Sequence, residues 1–231
     1  QTLQPVKEIT EYQWQETDTS LALLNKNHIV WQYNFNTKYG RPFFHPLYLG
    51  RNNMTCVSPD DHHWHLGQWF CWKYINNVNY WEYQQGTYRS EGITEIKNIE
   101  IKKNSDFSAV INLNIVFHPI GGENVLSEKR TVNILPPQPG EEVHINYNFN
   151  FEALVDEVTL DRTPILGEEN GKSWGGYAGL SVRFNQDFME PEFATSWTDN
   201  DSINGQNGDW LYMGFTGIDG KKIGSQIMIH P

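Results

Sequence analysis

Between Val143 and Phe151 the chain alternates strictly, with Val143, Ile145, Tyr147, Phe149 and Phe151 apolar and His144, Asn146, Asn148 and Asn150 polar. Successive side chains of an extended strand point to opposite faces of a sheet, whereas a helix would scatter these residues around its circumference. The stretch predicts a strand with one buried and one wetted face. Ile111, Leu113, Ile115 and Phe117 repeat the pattern against Asn112 and Asn114. By the same reasoning strands are expected over 20–25, 28–36, 68–75, 79–84, 93–102, 128–135, 177–184, 210–215 and 223–229.

Gly121-Gly122, Pro136-Pro137-Gln138-Pro139-Gly140 and Asp219-Gly220 supply turn chemistry between these runs. No segment holds a helical apolar stripe over three turns. Many short strands with short connections predict an all-β chain, a large antiparallel β-sandwich or a large barrel, in a single domain over 1–231. The stretch 185–209, rich in Asn, Asp and Gly, reads as a long surface loop.

Composition narrows the partners. The 28 Asp plus Glu against 17 Lys plus Arg give a net charge of −11, and no local basic patch offsets it, so nucleic acid and anionic lipid are not expected partners. A mean hydropathy of −0.60, with no apolar run of about 18 residues, predicts no membrane span. Cys56 and Cys71 are too few for a disulfide framework; they pair only if their strands meet, and buried thiols are the alternative. The chain begins at Gln1 without Met and without a basic or apolar leader. That start fits a processed, exported protein and also a trimmed one, and export is the preferred reading.

The segment running from Ser58-Pro59-Asp60-Asp61-His62-His63-Trp64-His65 to Phe70 holds three of the eight His residues, two carboxylates and two Trp. Imidazoles transfer protons near neutral pH or bind metals, and Asp60 or Asp61 can fix a tautomer through a ring N–H. The plain alternative is a polar loop whose Trp residues pack on the core. If the backbone is extended, His63 and His65 share a face, an H-x-H pair able to chelate a metal. The Glu that a cupin-like site wants is missing, because Gln68, Trp69 and Phe70 stand there. His45, His118 and His230 each precede Pro and are projected from an extended backbone; for His118 the structural reading is preferred. Asn200, Ser202, Asn204 and Gly205 imitate a calcium loop, but Leu211 occupies the place of its bidentate Glu. The aromatics Trp64, Trp69, Trp72, Tyr74, Tyr80, Trp81 and Tyr83 suggest a platform for a sugar ring. Assigning all of them to the core would require both faces of the sheet to be covered.

The runs Arg41-Pro42-Phe43-Phe44-His45-Pro46-Leu47-Tyr48, Asp61-His62-His63-Trp64-His65, Trp69-Phe70-x-Trp72 and Asn79-Tyr80-Trp81-Glu82, with Gly176-Tyr177-Ala178-Gly179-Leu180-Ser181-Val182-Arg183 and Ile229-His230-Pro231, resemble the PmoA-like family of bacterial proteins of unknown function. Its label points to a methane monooxygenase subunit, an integral membrane protein, which a chain without a membrane span does not match. The resemblance implies the galactose mutarotase-like supersandwich fold and an exported, secreted or periplasmic setting in carbohydrate use. Family members commonly continue with another strand after the point where this chain stops, which leaves open a final sheet short of its last strand.

Three functions compete. In the first, a carbohydrate-active enzyme of hydrolase or lyase type uses Asp61, His62 and His65 as catalytic residues, with His45, Arg183, Trp64 and Trp81 binding substrate. In the second, a non-catalytic module binds sugar through its aromatics. In the third, a metal-dependent enzyme uses His63, His65 and a distant His45 or His230. A carbohydrate ligand is expected in the first two, and the residues name no cofactor.

Overall fold

The computed structural model describes residues 11–83, 86–138, 142–197, 203 and 208–229. Its strands are β1 (Tyr12–Thr17), β2 (Ser20–Asn25), β3 (His28–Asn34), β4 (Phe43–Leu49), β5 (Asn52–Asn53), β6 (Gln68–Cys71), β7 (Tyr74–Ile75), β8 (Val78–Asn79), β9 (Gly92–Lys103), β10 (Ala109–Pro119), β11 (Leu126–Ile134), β12 (Ile145–Ala153), β13 (Leu160–Asp161), β14 (Gly179–Val182), β15 (Met189–Thr195), β16 (Trp210–Thr216) and β17 (Lys222–Met228). No α-helix occurs among the described residues. The fold is all β, with antiparallel sheets stacked as a sandwich.

One sheet runs β1-β2-β3-β4-β6-β14, with β5 paired to β4, and the facing sheet runs β12-β11-β10-β9. Tight hairpins join neighbours where the chain supplies residues tolerant of positive φ. Lys26 and Asn27 (φ 48 and 66) turn β2 into β3, and Asn76 and Asn77 (φ 49 and 62) turn β7 into β8, as a two-residue hairpin requires. In β10 the alternation holds as expected. Ile111, Leu113, Ile115 and Phe117 are buried, while Asn112 and Asn114 are exposed, and Asn112 accepts a hydrogen bond from Thr131 across the outer face (2.9 Å). Residues 145–151 of β12 alternate likewise but are only half-buried on their apolar side. The reason is position, because β12 is the edge of its sheet.

The inner faces meet through aromatic rings. Phe44 of β4 stands edge-on to Tyr147 at 6.4 Å, and Phe70 of β6 lies 4.3 Å from Phe149 and 5.8 Å from Phe151. Into this apolar layer β11 projects Glu128 and Arg130 as well as Val132 and Ile134, all fully buried. The two charges satisfy each other in a forked pair, Nε to Oε1 at 2.5 Å and Nη2 to Oε2 at 3.0 Å. The guanidinium also lies over the Phe70 and Phe149 rings at 5.4 and 5.3 Å. A buried ion of this kind is tolerated only when its partner is present.

Two smaller sheets, β13-β7-β8 and β15-β16-β17, complete the structure. Phe215 and Ile223 of the second bury against Met54. Asn52, itself buried, fastens the β16–β17 turn by accepting from the Ile218 N–H and donating to Asp219.

Some expectations need correction. The stretch read as one irregular loop, 185–209, contains β15, whose alternation is blurred by Glu190, Pro191 and Glu192. The strand expected over 79–84 ends at Asn79, whose side-chain oxygen takes the Trp81 and Glu82 N–H groups and bends the chain. Cys56 and Cys71 are both free thiols. The calcium-like residues Asn200, Ser202, Asn204 and Gly205, together with His230, lie outside the described residues.

The buried pair generates a prediction. Replacing Glu128 by Gln leaves Arg130 charged in an apolar layer and should destabilise the fold by about 3–5 kcal/mol. The double replacement Glu128→Met with Arg130→Met should recover most of that loss. Urea denaturation measures both; a Glu128→Gln protein unfolding at the wild-type midpoint would contradict the assignment.

Candidate functional site

The His-rich segment lies against the outer face of the larger sheet, where β4, β6 and β14 adjoin. Isolated bridges between Val57 and Leu66 and between Thr55 and Phe184 pin its ends. The backbone returns so close to β4 that a Cβ on Gly67 would stand 2.3 Å from the Phe44 carbonyl oxygen, and Gly67 has φ +73°. Only glycine fits there. Between the pins the chain makes two consecutive turns, the His62 N–H donating to Pro59 and the His65 N–H to His62 (3.0 and 2.9 Å). The extended reading therefore fails. Turns bring residues three apart together, so His62 stacks on His65, with ring centroids 4.7 Å apart and 16° between planes.

Asp61 organises the polar atoms. Its Oδ2 accepts from His62 Nδ1 (2.8 Å) and from Arg183 Nη2 (2.5 Å), and its Oδ1 accepts from Gln186 Nε2 (3.4 Å). The hydrogen bond from His62, then Arg183, hold its carboxyl down to about 2. A carboxylate at Nδ1 fixes the proton there and leaves Nε2 as the basic atom of His62. The His62 side chain is 37% exposed, and Nε2 makes no bond among the described residues.

His65 lies beneath, 7% exposed, with both ring nitrogens buried and unpartnered. Burial first, then the positive charges of His62, Arg183 and Arg41, push it down to about 4, so it is neutral at pH 7. Trp69 of β6 supports its ring at 5.1 Å. Arg41 is 3% exposed and makes no ion pair among the described residues; its guanidinium lies 5.6 Å over the Tyr83 ring and its Nη1 is unpartnered. Sequence reasoning missed Arg41 and Gln186. The signal for Arg41 was a lone charge entering the apolar run Pro42-Phe43-Phe44; Gln186 carried none.

The other expected residues divide. Arg183 joins the cluster, but through Asp61. Trp64 is half-buried and edge-on to His62 at 5.3 Å. His45 turns to Thr55, its Nδ1 2.9 Å from the hydroxyl. Trp81 is 2% exposed and packs on Trp69 at 5.4 Å, so its ring belongs to the core and offers no face to a ligand. His63 bonds Tyr83 in both directions, ring to carbonyl at 3.2 Å and phenol to His63 carbonyl at 2.6 Å. His63, His65 and His45, the expected metal ligands, thus face three different neighbours. Among the described residues no three His, Cys, Asp or Glu side chains gather to hold a metal ion.

The depressed His65 sets a pH dependence. An unfolded His takes a proton near 6.5, whereas folded His65 resists until about 4. Its neutral burial therefore stabilises the fold above pH 6.5, and this is lost as pH falls from 6.5 to about 4, by up to about 3 kcal/mol. Asp61 acts in a separate window, since its contribution is present above the ordinary carboxylate value and lost as pH falls toward 2. Melting temperatures measured from pH 7.5 to 4 should fall less steeply for His65→Phe than for wild type. Identical slopes would rule out a neutral, buried His65.

No curated protein and no solved structure gives a match to the chain. A family match, in contrast, covers nearly all of it, including every residue of the cluster around Asp61. Through residues 20–231 the chain belongs to a family of unknown function, DUF6807.

Proposed function

We propose that this protein acts on carbohydrate outside the cytoplasm, secreted or periplasmic, and that Asp61 and His62 move a proton on a glycoside or modified sugar in a reaction of hydrolase or lyase type. One observation carries the reading: the 2.8 Å bond from His62 Nδ1 to a carboxylate kept ionised, on a ring whose Nε2 makes no hydrogen bond among the described residues. In a lyase-type step Nε2 takes the proton from a sugar carbon beside a carboxyl group. In a hydrolase-type step on an ester of a modified sugar it takes the proton from the attacking water as the tetrahedral adduct forms. The proton then returns to the departing oxygen, and Asp61 stabilises the imidazolium between the two events. Arg183 and Gln186 hold Asp61 and are positioning residues. His65 supports the stack from below, neutral, so that it adds no second positive charge under His62.

The PmoA-like resemblance and a galactose mutarotase-like sandwich belong to this same proposal, and an antiparallel all-β sandwich is compatible with both. The non-catalytic alternative draws on Trp174 and Tyr177, which stand exposed on a neighbouring loop.

Screening a panel of glycans for turnover, then assaying variants on whichever is consumed, tests the reading. His62→Ala should lower turnover by about a hundredfold to ten-thousandfold while sugar affinity is kept. Asp61→Asn should reduce turnover and leave affinity unchanged. Full turnover by His62→Ala, or no turnover across the panel, would overturn the proton-transfer role.

A further inference from the structure

Trp174 is 56% exposed, although it is among the costliest side chains to leave in water. The loop that carries it is tightly built. Thr163 and Pro164 accept from the Gly176 and Lys172 N–H groups (2.8 and 3.0 Å), and Gly175 N–H donates to the Lys172 carbonyl (3.0 Å). A Cβ on Gly175 would stand 2.0 Å from the Pro164 carbonyl oxygen, so the backbone approach depends on that glycine. Glu168 closes the base of the loop, bonding both Nη atoms of Arg162 (2.8 and 2.7 Å) and the Ile165 N–H. The indole is displayed on a fixed frame.

Beside it lies an open depression of about 410 Å³ lined by Tyr74, Asn77, Asp161, Thr163, Lys172 and Trp174 among others. Thr163 is 94% buried, and its hydroxyl has no hydrogen-bond partner. With Arg162 neutralised by Glu168, the remaining charges on the wall, Asp161 and Lys172, are of opposite sign. Tyr177 continues the aromatic surface 6.2 Å from Trp174, and beyond it Trp81 follows at 6.0 Å and His65 at a further 6.3 Å. Trp81 and His65 are both buried, so this row of rings links the depression to the His62 stack through the interior of the protein and not along its surface.

We infer that this depression is a subsite for a pyranose ring of an uncharged glycan chain, stacked on Trp174 and bonded at its rim by Asn77, Asp161 and Lys172. An indole face matches the C–H face of a pyranose, and an amide with side chains of both charge signs matches its hydroxyls without selecting a net charge. Because the loop is already ordered, little conformational freedom is lost on binding. The inference rests on the carbohydrate reading of the ligand, takes its hydrolase-type branch because an uncharged chain has no carboxyl group to acidify a ring proton, and is independent of proton transfer at His62.

Titration calorimetry of the whole chain in the His62→Ala background, where turnover is suppressed, tests it. The probes are cellohexaose, xylohexaose, mannohexaose, laminarihexaose and, as a charged control, hexagalacturonic acid. At least one neutral hexaose should bind, about tenfold or more weakly after Trp174→Ala, with partial recovery in Trp174→Phe. Gly175→Ala, which displaces the loop without touching the indole, should weaken binding as well. Unchanged affinity in Trp174→Ala, binding of none of the neutral hexaoses, or binding of the uronate alone would overturn the subsite. These failures are distinct from failure at His62, which is read from turnover: Trp174→Ala losing affinity while His62→Ala keeps full turnover sinks only the proton-transfer role.

Discussion

Strand β6 is buried on both faces, and the rest of the molecule is arranged around that fact. On one face Phe70 is clamped by Phe149, Phe151 and the Arg130 guanidinium of the facing sheet. On the other, Trp69 supports His65 and Trp81. A strand in this position must be large and apolar at consecutive places, which Trp69-Phe70-Cys71-Trp72 provides. The condition for assigning the aromatics near Trp81 to the core, that both sheet faces be covered, is met by the facing sheet on one side and by the loops carrying His65 and Trp81 on the other.

This two-sided burial ties the site to the core. The His62–His65 stack rests on Trp69, so packing of the sandwich fixes the height and tilt of the imidazoles. The electrostatics follow from the same placement. In a chain of net charge −11, His62 and Arg183 hold the Asp61 carboxylate, and burial with the neighbouring cations His62, Arg183 and Arg41 keeps His65 neutral. One imidazole, His62, is therefore left partly exposed and backed by Asp61, which is the arrangement a single proton-transfer step needs. Buried charge is handled in two ways within one protein. Arg130 is matched by Glu128 in a fork, whereas Arg41 makes no ion pair among the described residues and is enclosed with an aromatic face and a thiol beside it.

The sugar-stacking role expected of Trp81 moves elsewhere for a simple reason. An aromatic residue suits a core and a ligand platform equally, and only solvent exposure separates the two. Trp81 follows the Asn79 bend into the interior. Trp174, unremarked in the sequence, is held outward by a glycine loop whose geometry depends on a distant carbonyl.

What the sequence determined by itself is the local part. Period-two alternation made 111–117 and 145–151 strands because pleating is a property of consecutive residues. The same parity placed Glu128 and Arg130 on the side of Val132 and Ile134. The Asp-His concentration at 61–65 marked the site, and Asp61 and His62 are adjacent in the chain. Tertiary structure decided the rest. It turned the segment so that His62 meets His65 and not His63 with His65. It brought Arg183 and Gln186 to Asp61 across 122 and 125 residues, and it assigned Trp81 to the interior and Trp174 to the surface. Each of these depends on which strands become neighbours and which faces they cover, a global packing outcome that no local period encodes.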